Sequence, residues 1–164
     1  MPPSNRLSRL LRKLDFLPNG VRKPVRTFLL GRLVPFVGTA KLTIEEVSPE
    51  RVVITIRNRR RVRNHLKGIH AAAMALLAET ATGFAVAMHV PDDKIPLIKT
   101  LKIDYVKRAQ GDLRAVVELG PERIERIVSE EKGEISVPVS VTDQSGRSPI
   151  ECDAIWAWVP KKRV

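Results

Sequence analysis

One carboxylate in an apolar stretch is the residue best suited to chemistry. Glu79 lies near the middle of residues 70–88, where alanine, leucine, methionine and valine dominate. Burial disfavours the ionised form of a carboxyl group, and groups with perturbed pKa values concentrate at functional sites. Glu79 is therefore a candidate functional group. The alternative is a structural ion pair between Glu79 and one of the many arginines.

The beginning of the same stretch offers backbone donors. If a helix begins near His70, the free N–H groups of its first turn, around Ala71 and Ala72, favour negative charge at that end. Such donors can stabilise an oxyanion. Eight residues separate Ala71 from Glu79, which is about 12 Å along a helix axis. A substrate would lie between the two groups, or a partner chain would supply one of them.

Four other residues are weaker candidates. Asn64 lies six residues before His70, where its amide would position a water or a carbonyl, or close an ordinary turn. His65 and His70 lack the spacing of a recognised metal site, so no metal is expected. Cys152 lies in a strand-like run and is predicted to be a core residue rather than a nucleophile.

Length and composition limit the possibilities. The chain has 164 residues and a single cysteine, which indicates one domain with one core and no internal disulfide. The sequence shows no signal peptide, so the cytoplasm is the expected compartment. It also lacks a G-x-S-x-G elbow, a Walker loop and a dinucleotide glycine pattern.

The positive charge is concentrated at the N-terminus. The net charge is +11, and residues 1–41 hold nine Lys or Arg against one acid, Asp15. A basic segment of this kind attracts an anionic membrane, a nucleic acid or a phosphate-bearing ligand, or it is a solvated face. We expect peripheral membrane contact through residues 1–34. Nucleic acid is not the expected partner, because the segment has no clear helix-turn-helix pattern.

These groups must be positioned by the elements that the hydrophobic pattern predicts. Leucines at helical spacing predict an amphipathic helix over residues 7–17, followed by a second helical stretch over 21–34 that ends before Pro35. The partner of the first helix is the domain body or a membrane interface. Alternation over residues 40–56 predicts a hairpin, and residues 70–88 predict a long buried helix.

Strand-like runs then return over four ranges: 101–106, 113–119, 135–141 and 150–159. Residues 91–96 break the chain before them, and residues 121–131 are ambiguous, with a short exposed helix as one interpretation. The order predicts an α+β domain over residues 39–164, in which an antiparallel sheet of about six strands wraps one long central helix. Residues 1–38 form a basic helical arm. A second copy is expected to protect a sheet edge.

The residues around the long helix resemble a known family. The segment from Asn64 to Ala72, followed by Leu76-Leu77-Ala78-Glu79, resembles the N-x(5)-H-G-G…D/E signature of hotdog-fold acyl-CoA thioesterases of the phenylacetate-pathway type. Residues 103–108 and the turn at 111–112 are similar to that family's third strand and turn. The resemblance covers roughly residues 39–159, with the DUF4442-type branch as the suspected member group.

The resemblance implies a fold and a mechanism. The fold would be the hotdog fold, with Glu79 as general base or nucleophile toward the thioester and the Ala71 N–H polarising its carbonyl. Asn64 would orient water or the carbonyl from the facing subunit, and His70 would shape the beginning of the helix. Alanines 71 and 72 replace the two glycines of the family signature, so an added methyl group crowds the thioester.

The same resemblance implies the partners. The active sites would lie at the interface of a homodimer, or of a dimer of dimers, with the acyl chain in a tunnel and Gly68 and Ala72 beside the substrate. The substrate would be an acyl-CoA or, as an alternative, an acyl carrier protein thioester, and no cofactor is expected beyond the coenzyme A of the substrate. A basic surface would hold the nucleotide, with four candidates: Arg59, Arg60, Arg61 and Arg63.

The same sequence features are also compatible with three functions other than hydrolysis. A non-catalytic acyl-CoA binder, or an acyl-CoA-responsive regulator that binds DNA through its basic helices, would use the same pocket without hydrolysis. A structural dimer with an inactive pocket is the third possibility. Hydrolysis, DNA binding and the environment of Glu79 distinguish these readings.

Overall fold

A computed structural model describes residues 5–161, so residues 1–4 of the predicted arm and residues 162–164 of the predicted domain lie outside it. The chain combines helices with antiparallel strands, as in the α+β class that the sequence predicts. The helices are α1 (Arg6–Leu14), α2 (Asn19–Leu33), α3 (Pro35–Ala40), α4 (Ala71–Ala87) and α5 (Pro121–Ser129). The strands are β1 (Thr43–Val47), β2 (Arg51–Ile56), β3 (Lys94–Tyr105), β4 (Leu113–Glu118), β5 (Gly133–Val137), β6 (Ser140–Asp143) and β7 (Ile150–Pro160).

The strands form two antiparallel sheets. One has the order β1-β2-β4-β6 and the other the order β3-β7-β5. Two residues, Pro138 and Val139, separate β5 from β6. The predicted strand over residues 135–141 is therefore two strands, and this bent segment joins one sheet to the other. A proline cannot donate to a ladder, which explains the break at this point.

Helix α4 lies against both sheets. It contacts β2 and β4 of the first sheet and β3 and β7 of the second, so it is apolar on nearly every side and its Leu77 and Ala81 are fully buried. The polar Thr82 is satisfied inside, since its hydroxyl accepts the Trp156 indole N–H at 2.9 Å. Gly83 leaves room for the same indole, because a Cβ there would lie 2.9 Å from the ring.

The N-terminal helices pack onto this body. Leu11 of α1, Leu30 of α2 and Val37 of α3 are buried in the same hydrophobic cluster as the strands. Asn5 caps α1, and its Nδ2 donates to the carbonyl groups of Ala87 and Val90 at 2.7 Å each. The leucine side of α1, formed by Leu7, Leu11 and Leu14, therefore packs against the domain body, one of the two partners that its amphipathic pattern allowed, while Leu10 remains 40% exposed.

Three elements differ from the sequence-based boundaries. Helix α3 was missed, although Pro35 stands at its first turn, where proline is tolerated. Strand β3 begins inside the predicted break and carries Pro96, which pairs with Trp158. Proline is accepted there because β3 is an edge strand of its sheet. The ambiguous stretch after Gly120 forms α5.

Candidate active site

The N-terminal end of α4 leaves one backbone donor open. His70 is the N-cap, and its Nδ1 accepts the Ala72 N–H at 3.0 Å. The carbonyl of His70 accepts from Ala73 and Met74. The N–H of Ala71 has no acceptor in residues 5–161. Of the two amides that the sequence singles out, the Ala71 amide is therefore the one available to an outside acceptor, while the Ala72 amide is used by the cap.

Glu79 lies two turns further along α4. Its side chain is half-buried, and this burial raises its pKa above the ordinary value for glutamate, partly offset by a 3.5 Å hydrogen bond from the Thr80 hydroxyl. No lysine or arginine between residues 5 and 161 forms an ion pair with it. The alternative role of Glu79, a structural pair with an arginine, is therefore not observed in the described chain. A carboxylate with a raised pKa is a better base near neutral pH.

Asn64 closes a turn before α4. Its Oδ1 accepts the N–H of Leu66 at 2.9 Å and that of Gly68 at 3.2 Å, while Lys67 adopts a left-handed conformation with φ of 63°. This is the ordinary turn that was one of its two predicted roles. The Nδ2 of Asn64 makes no hydrogen bond within the described residues, so the side chain still offers a donor.

Tyr105, the last residue of β3, and Arg108, three residues later, bind backbone carbonyl groups at and before the beginning of α4. Neither of them was assigned a role from the sequence. The Tyr105 hydroxyl donates to the Ala71 carbonyl at 3.0 Å, and an Arg108 guanidinium donates to the Leu66 carbonyl at 3.1 Å. Both residues are exposed. They lie 34 and 42 residues from their partners in the chain, so no local pattern reveals the contacts.

A groove of about 310 Å³ runs beside the beginning of α4. Its walls are mostly apolar and its rim carries two guanidinium groups; among the lining residues are Phe36, Arg61, Arg63, His70, Ala73 and Leu76. Arg63 is anchored on Asn58 at 2.8 Å. The other two arginines predicted to bind the nucleotide, Arg59 and Arg60, are exposed and do not line this groove. The four predicted arginines therefore do not converge on one place.

Other chemistry has little support in the described chain. Residues 5–161 contain no cluster of three His, Cys, Asp or Glu side chains arranged for a metal ion. Burial raises the pKa of the half-buried Cys152 thiol, which lowers its thiolate fraction and its nucleophilicity. Within the same range, none of the helices has both the length and the apolar character needed to cross a membrane.

Solved structures share this architecture. A Pseudomonas aeruginosa protein described as of unknown function and a probable thioesterase is 24% identical, with a TM-score of 0.75 over 84% of this chain and 95% of that chain. A thioesterase from Haemophilus influenzae is 12% identical, with a TM-score of 0.62 over 80% and 88%. A thioesterase enzyme from Staphylococcus aureus is 18% identical, with a TM-score of 0.62 over 77% and 100%. The shared fold is the hotdog fold.

The sequence itself matches a family. The model of the "Domain of unknown function (DUF4442)" covers residues 24–159, which includes most of α2 and all later helices and nearly all the strand residues. No curated protein sequence matches the chain. The predicted boundary between residues 38 and 39 falls inside the matched region, and it remains a prediction. The hotdog fold and the family match agree with the resemblance at residues 64–79, and the chain belongs to the DUF4442 family.

Proposed function

We propose that this protein is a thioesterase that hydrolyses acyl-CoA thioesters. The observation that carries the proposal is one helix with a free backbone donor at its beginning and an unpaired carboxylate of raised pKa two turns later. Acyl transfer needs both an oxyanion donor and a base. The names of the structurally similar thioesterases support the same reaction class.

The reaction follows from these groups. In one route, Glu79 takes a proton from water as the oxygen attacks the thioester carbon, and the carbonyl oxygen becomes an oxyanion that accepts the Ala71 N–H. The C–S bond then breaks, and the proton held by Glu79 passes to the leaving thiolate. In the other route, the Glu79 carboxylate attacks the thioester carbon, and the C–S bond breaks to give a mixed anhydride and the thiolate of coenzyme A. Water then hydrolyses the anhydride to the fatty acid and the Glu79 carboxylate, and the proton that water releases passes to the thiolate.

The distance between the two groups argues for a second copy. About 12 Å of helix separates Ala71 from Glu79, too far for both to touch one carbonyl group. Strand β3 is a long edge strand whose apolar residues Ile95, Leu97 and Ile98 are exposed, and an unpaired edge invites pairing. A homodimer, or a dimer of dimers, formed across β3 would place Ala71 of one chain near Glu79 of the other. The Nδ2 of Asn64 would then donate to the substrate.

Coenzyme A and an acyl carrier protein are the two thioester carriers to distinguish. Arg61 and Arg63 at the rim of the 310 Å³ groove suit the phosphate groups of coenzyme A, so we place acyl-CoA first. No cofactor takes part beyond the coenzyme A of the substrate. A location in the cytoplasm, where acyl-CoA is made and used, is part of the proposal.

The test is turnover across acyl-CoA chain lengths. Glu79→Gln keeps the size of the side chain and removes the base, so we expect a fall in kcat of about 10²- to 10⁴-fold. Glu131→Gln is the matched control, because Glu131 is an exposed carboxylate away from the site. If Glu79→Gln hydrolyses every acyl-CoA as fast as the unmodified chain, Glu79 is not the base.

A second function is favoured by one observation. The methyl groups of Ala71 and Ala72 stand where the family signature has glycines, and the Oδ1 of Asn64 is already engaged by the turn. A site of this kind suits a non-catalytic acyl-CoA binder. Calorimetric titration with acyl-CoA, followed by a thiol assay of the same sample, separates the two functions: a binder holds the ligand intact over hours, whereas a thioesterase releases free coenzyme A thiol.

A further inference from the structure

The phenylalanines of this chain are distributed in an unusual way. Phenylalanine is among the residues most often buried in folded proteins. Of the four in the sequence, Phe84 packs in the core at 6% exposure, whereas Phe16, Phe28 and Phe36 are 92%, 63% and 62% exposed. All three exposed rings lie between residues 16 and 36, in the N-terminal helical region. Phe28 belongs to α2 and Phe36 to α3.

The charge of the same region has one sign. No acid occurs between Asp15 and Glu45, while five basic residues do: Arg22, Lys23, Arg26, Arg32 and Lys41. Lys23 pairs with Glu45 at 3.2 Å. Within residues 5–161, neither Arg32 nor Lys41 forms an ion pair. Their charges are therefore available to an outside anion.

Two glycines bring α2 and α3 together. A Cβ on Gly38 would lie 2.7 Å from the backbone oxygen of Gly31, so the two helices touch through their main chains. The contact supports an open groove of about 800 Å³ whose lining includes Phe28, Arg32, Pro35, Lys41 and Arg61. We call five exposed residues of this region the α2–α3 face: Phe28, Arg32, Leu33, Phe36 and Lys41. Phe28, Arg32 and Lys41 line the 800 Å³ groove, Phe36 lines the adjoining groove of 310 Å³, and Leu33 lies next to Arg32 in the chain.

This groove adjoins the candidate active site. Thr39 and Arg61 line both the 800 Å³ groove and the 310 Å³ groove at the beginning of α4. Arg61 donates to the Thr39 carbonyl at 3.4 Å. This hydrogen bond ties the segment between β2 and α4, which carries Arg59, Arg60, Arg61 and Arg63, to α3. A molecule that rests on the α2–α3 face is therefore next to the site, and the ring of Phe36 stands in the wall of the smaller groove.

We propose that the α2–α3 face docks on an anionic phospholipid bilayer. Phe28, Leu33 and Phe36 would enter the boundary between headgroups and acyl chains, while Arg32 and Lys41 would meet lipid phosphates. Exposed apolar side chains among unpaired cations, with no acid in between, match the composition of such an interface. The docking does not depend on thioester hydrolysis. It differs from the sequence-based expectation because the leucine side of α1 is used for packing, so α2 and α3 carry the contact.

A vesicle co-sedimentation assay with the full chain tests the proposal. We expect binding to vesicles of phosphatidylcholine with phosphatidylglycerol, weaker binding as salt rises, and little binding to phosphatidylcholine alone. Phe28→Ser combined with Leu33→Ser should lower the partition coefficient at least about tenfold. Val128→Ser is the matched control, because Val128 is an exposed apolar residue on α5.

Three results would overturn the proposal. The first is equal sedimentation of the double variant and the unmodified chain, and the second is no sedimentation of either with anionic vesicles. The third is dissociation of a larger assembly by the double variant in light scattering, because the α2–α3 face would then join two copies of the chain. Circular dichroism of each variant checks that its fold is retained.

A fluorescence measurement gives an independent answer. The native Trp156 and Trp158 are buried, so lipid-borne quenchers should not reach them. We expect brominated lipids in anionic vesicles to quench the added indole in Phe28→Trp and to leave that in Val128→Trp unchanged. Equal quenching at both positions, or at neither, contradicts docking through this face.

Discussion

The two ends of α4 differ in how their backbone groups are satisfied. At the C-terminal end, the side chain of Asn5 donates to the carbonyls of Ala87 and Val90, and the residues from Met88 to Val90 are buried. At the N-terminal end, His70, Ala71 and Ala72 are exposed and the Ala71 N–H has no acceptor among the described residues. The chain thus closes one end of its central helix with its own N-terminus and leaves the other end open.

The difference separates the end of the helix that contributes to stability from the end that the proposed function uses. Buried carbonyls without donors would cost free energy, so the closed end needs Asn5. An exposed N–H can be satisfied by water until a ligand replaces it, so the open end costs little. Variants at the open end should therefore change turnover, and variants at the closed end should change the free energy of unfolding.

The largest effect should come from removing the open amide. Ala71→Pro deletes this N–H at the first helical position, which tolerates proline, and His70 already has the extended conformation that precedes a proline (φ −65°, ψ 145°). We expect kcat to fall about 10²- to 10³-fold, the usual effect of losing one oxyanion donor. Ala71→Gly keeps the amide and should retain turnover. Equal turnover in both variants would place the oxyanion elsewhere.

The closed end should show the next largest effect, in stability. Asn5→Asp keeps the acceptor for the Ser8 N–H, 2.8 Å away, but loses the donor to the two carbonyls. We expect the free energy of unfolding to fall by about 2–3 kcal/mol in urea titrations, since one buried and one partly buried acceptor lose their partner. Asn5→Ala removes both the donor and the cap without placing a carboxylate beside the two carbonyls, and it should also lose stability. A variant as stable as the unmodified chain would mean that α1 does not seal this end.

The N-cap of the open end should have a smaller effect on stability. His70→Ala removes the ring that accepts the Ala72 N–H and should cost about 1 kcal/mol, as other N-cap losses do. His70→Asn restores a side-chain acceptor and should recover most of the loss in thermal unfolding. If Asn does not rescue, the ring matters through packing rather than through the cap.

The smallest effects should appear in the pH dependence of the free energy of unfolding, where His89 and Glu79 should contribute slopes of opposite sign. Burial lowers the pKa of His89, whose Nε2 lies 2.8 Å from the Pro49 carbonyl. The unfolded chain then binds more protons below about pH 6.5, so stability falls on acidification in that range. Burial raises the pKa of Glu79, so its contribution is favourable at low pH and is lost as pH rises through that pKa.

Urea titrations between pH 4 and pH 8 check both signs. His89→Gln should flatten the loss of stability on acidification below about pH 6.5. Glu79→Gln should flatten the opposing slope that appears as the carboxyl group ionises. The same ionisation should govern turnover, because a base must be deprotonated, so kcat/KM should fall as pH drops through the raised pKa of Glu79. Slopes of the same sign for the two variants would contradict their assigned environments.

Hydrophobic periodicity along the sequence predicted the helices and strands whose burial follows a regular period. The apolar run of residues 70–88 predicted α4 to within one residue at each end, and alternation predicted the hairpin of β1 and β2. Three prolines explain the elements that the sequence analysis missed or misplaced. Helix α3 was missed because it begins at Pro35, and the first half of β3 was missed because it contains Pro96. Pro138 divides one predicted strand into β5 and β6. In each case proline breaks the local periodicity, while the surrounding structure accepts it at a helix beginning, on an edge strand or at a bend.

The candidate site was predictable in its charges and not in its contacts. A lone carboxylate in an apolar helix indicated the perturbed Glu79, and a histidine before the helix indicated the region of the free amide. The contacts of Tyr105, Arg108 and Asn5 join positions between 34 and 85 residues apart. Such pairs depend on how the sheets wrap α4, which periodicity does not encode. The burial of His89 was missed for the same reason.

Strand β3 also bears on how the chain avoids aggregation. Its outer edge is long and apolar, yet Pro96 cannot donate a hydrogen bond and a bulge between Ile98 and Thr100 shifts the register with β7. Natural edge strands use such interruptions to resist open-ended stacking. The register with β7 is uninterrupted over the six residues from Thr100 to Tyr105, and Tyr105 donates to the Ala71 carbonyl at the open end of α4. The interruptions thus leave the newly made chain few registers in which to associate, and the residues near the open end of α4 offer the longest one.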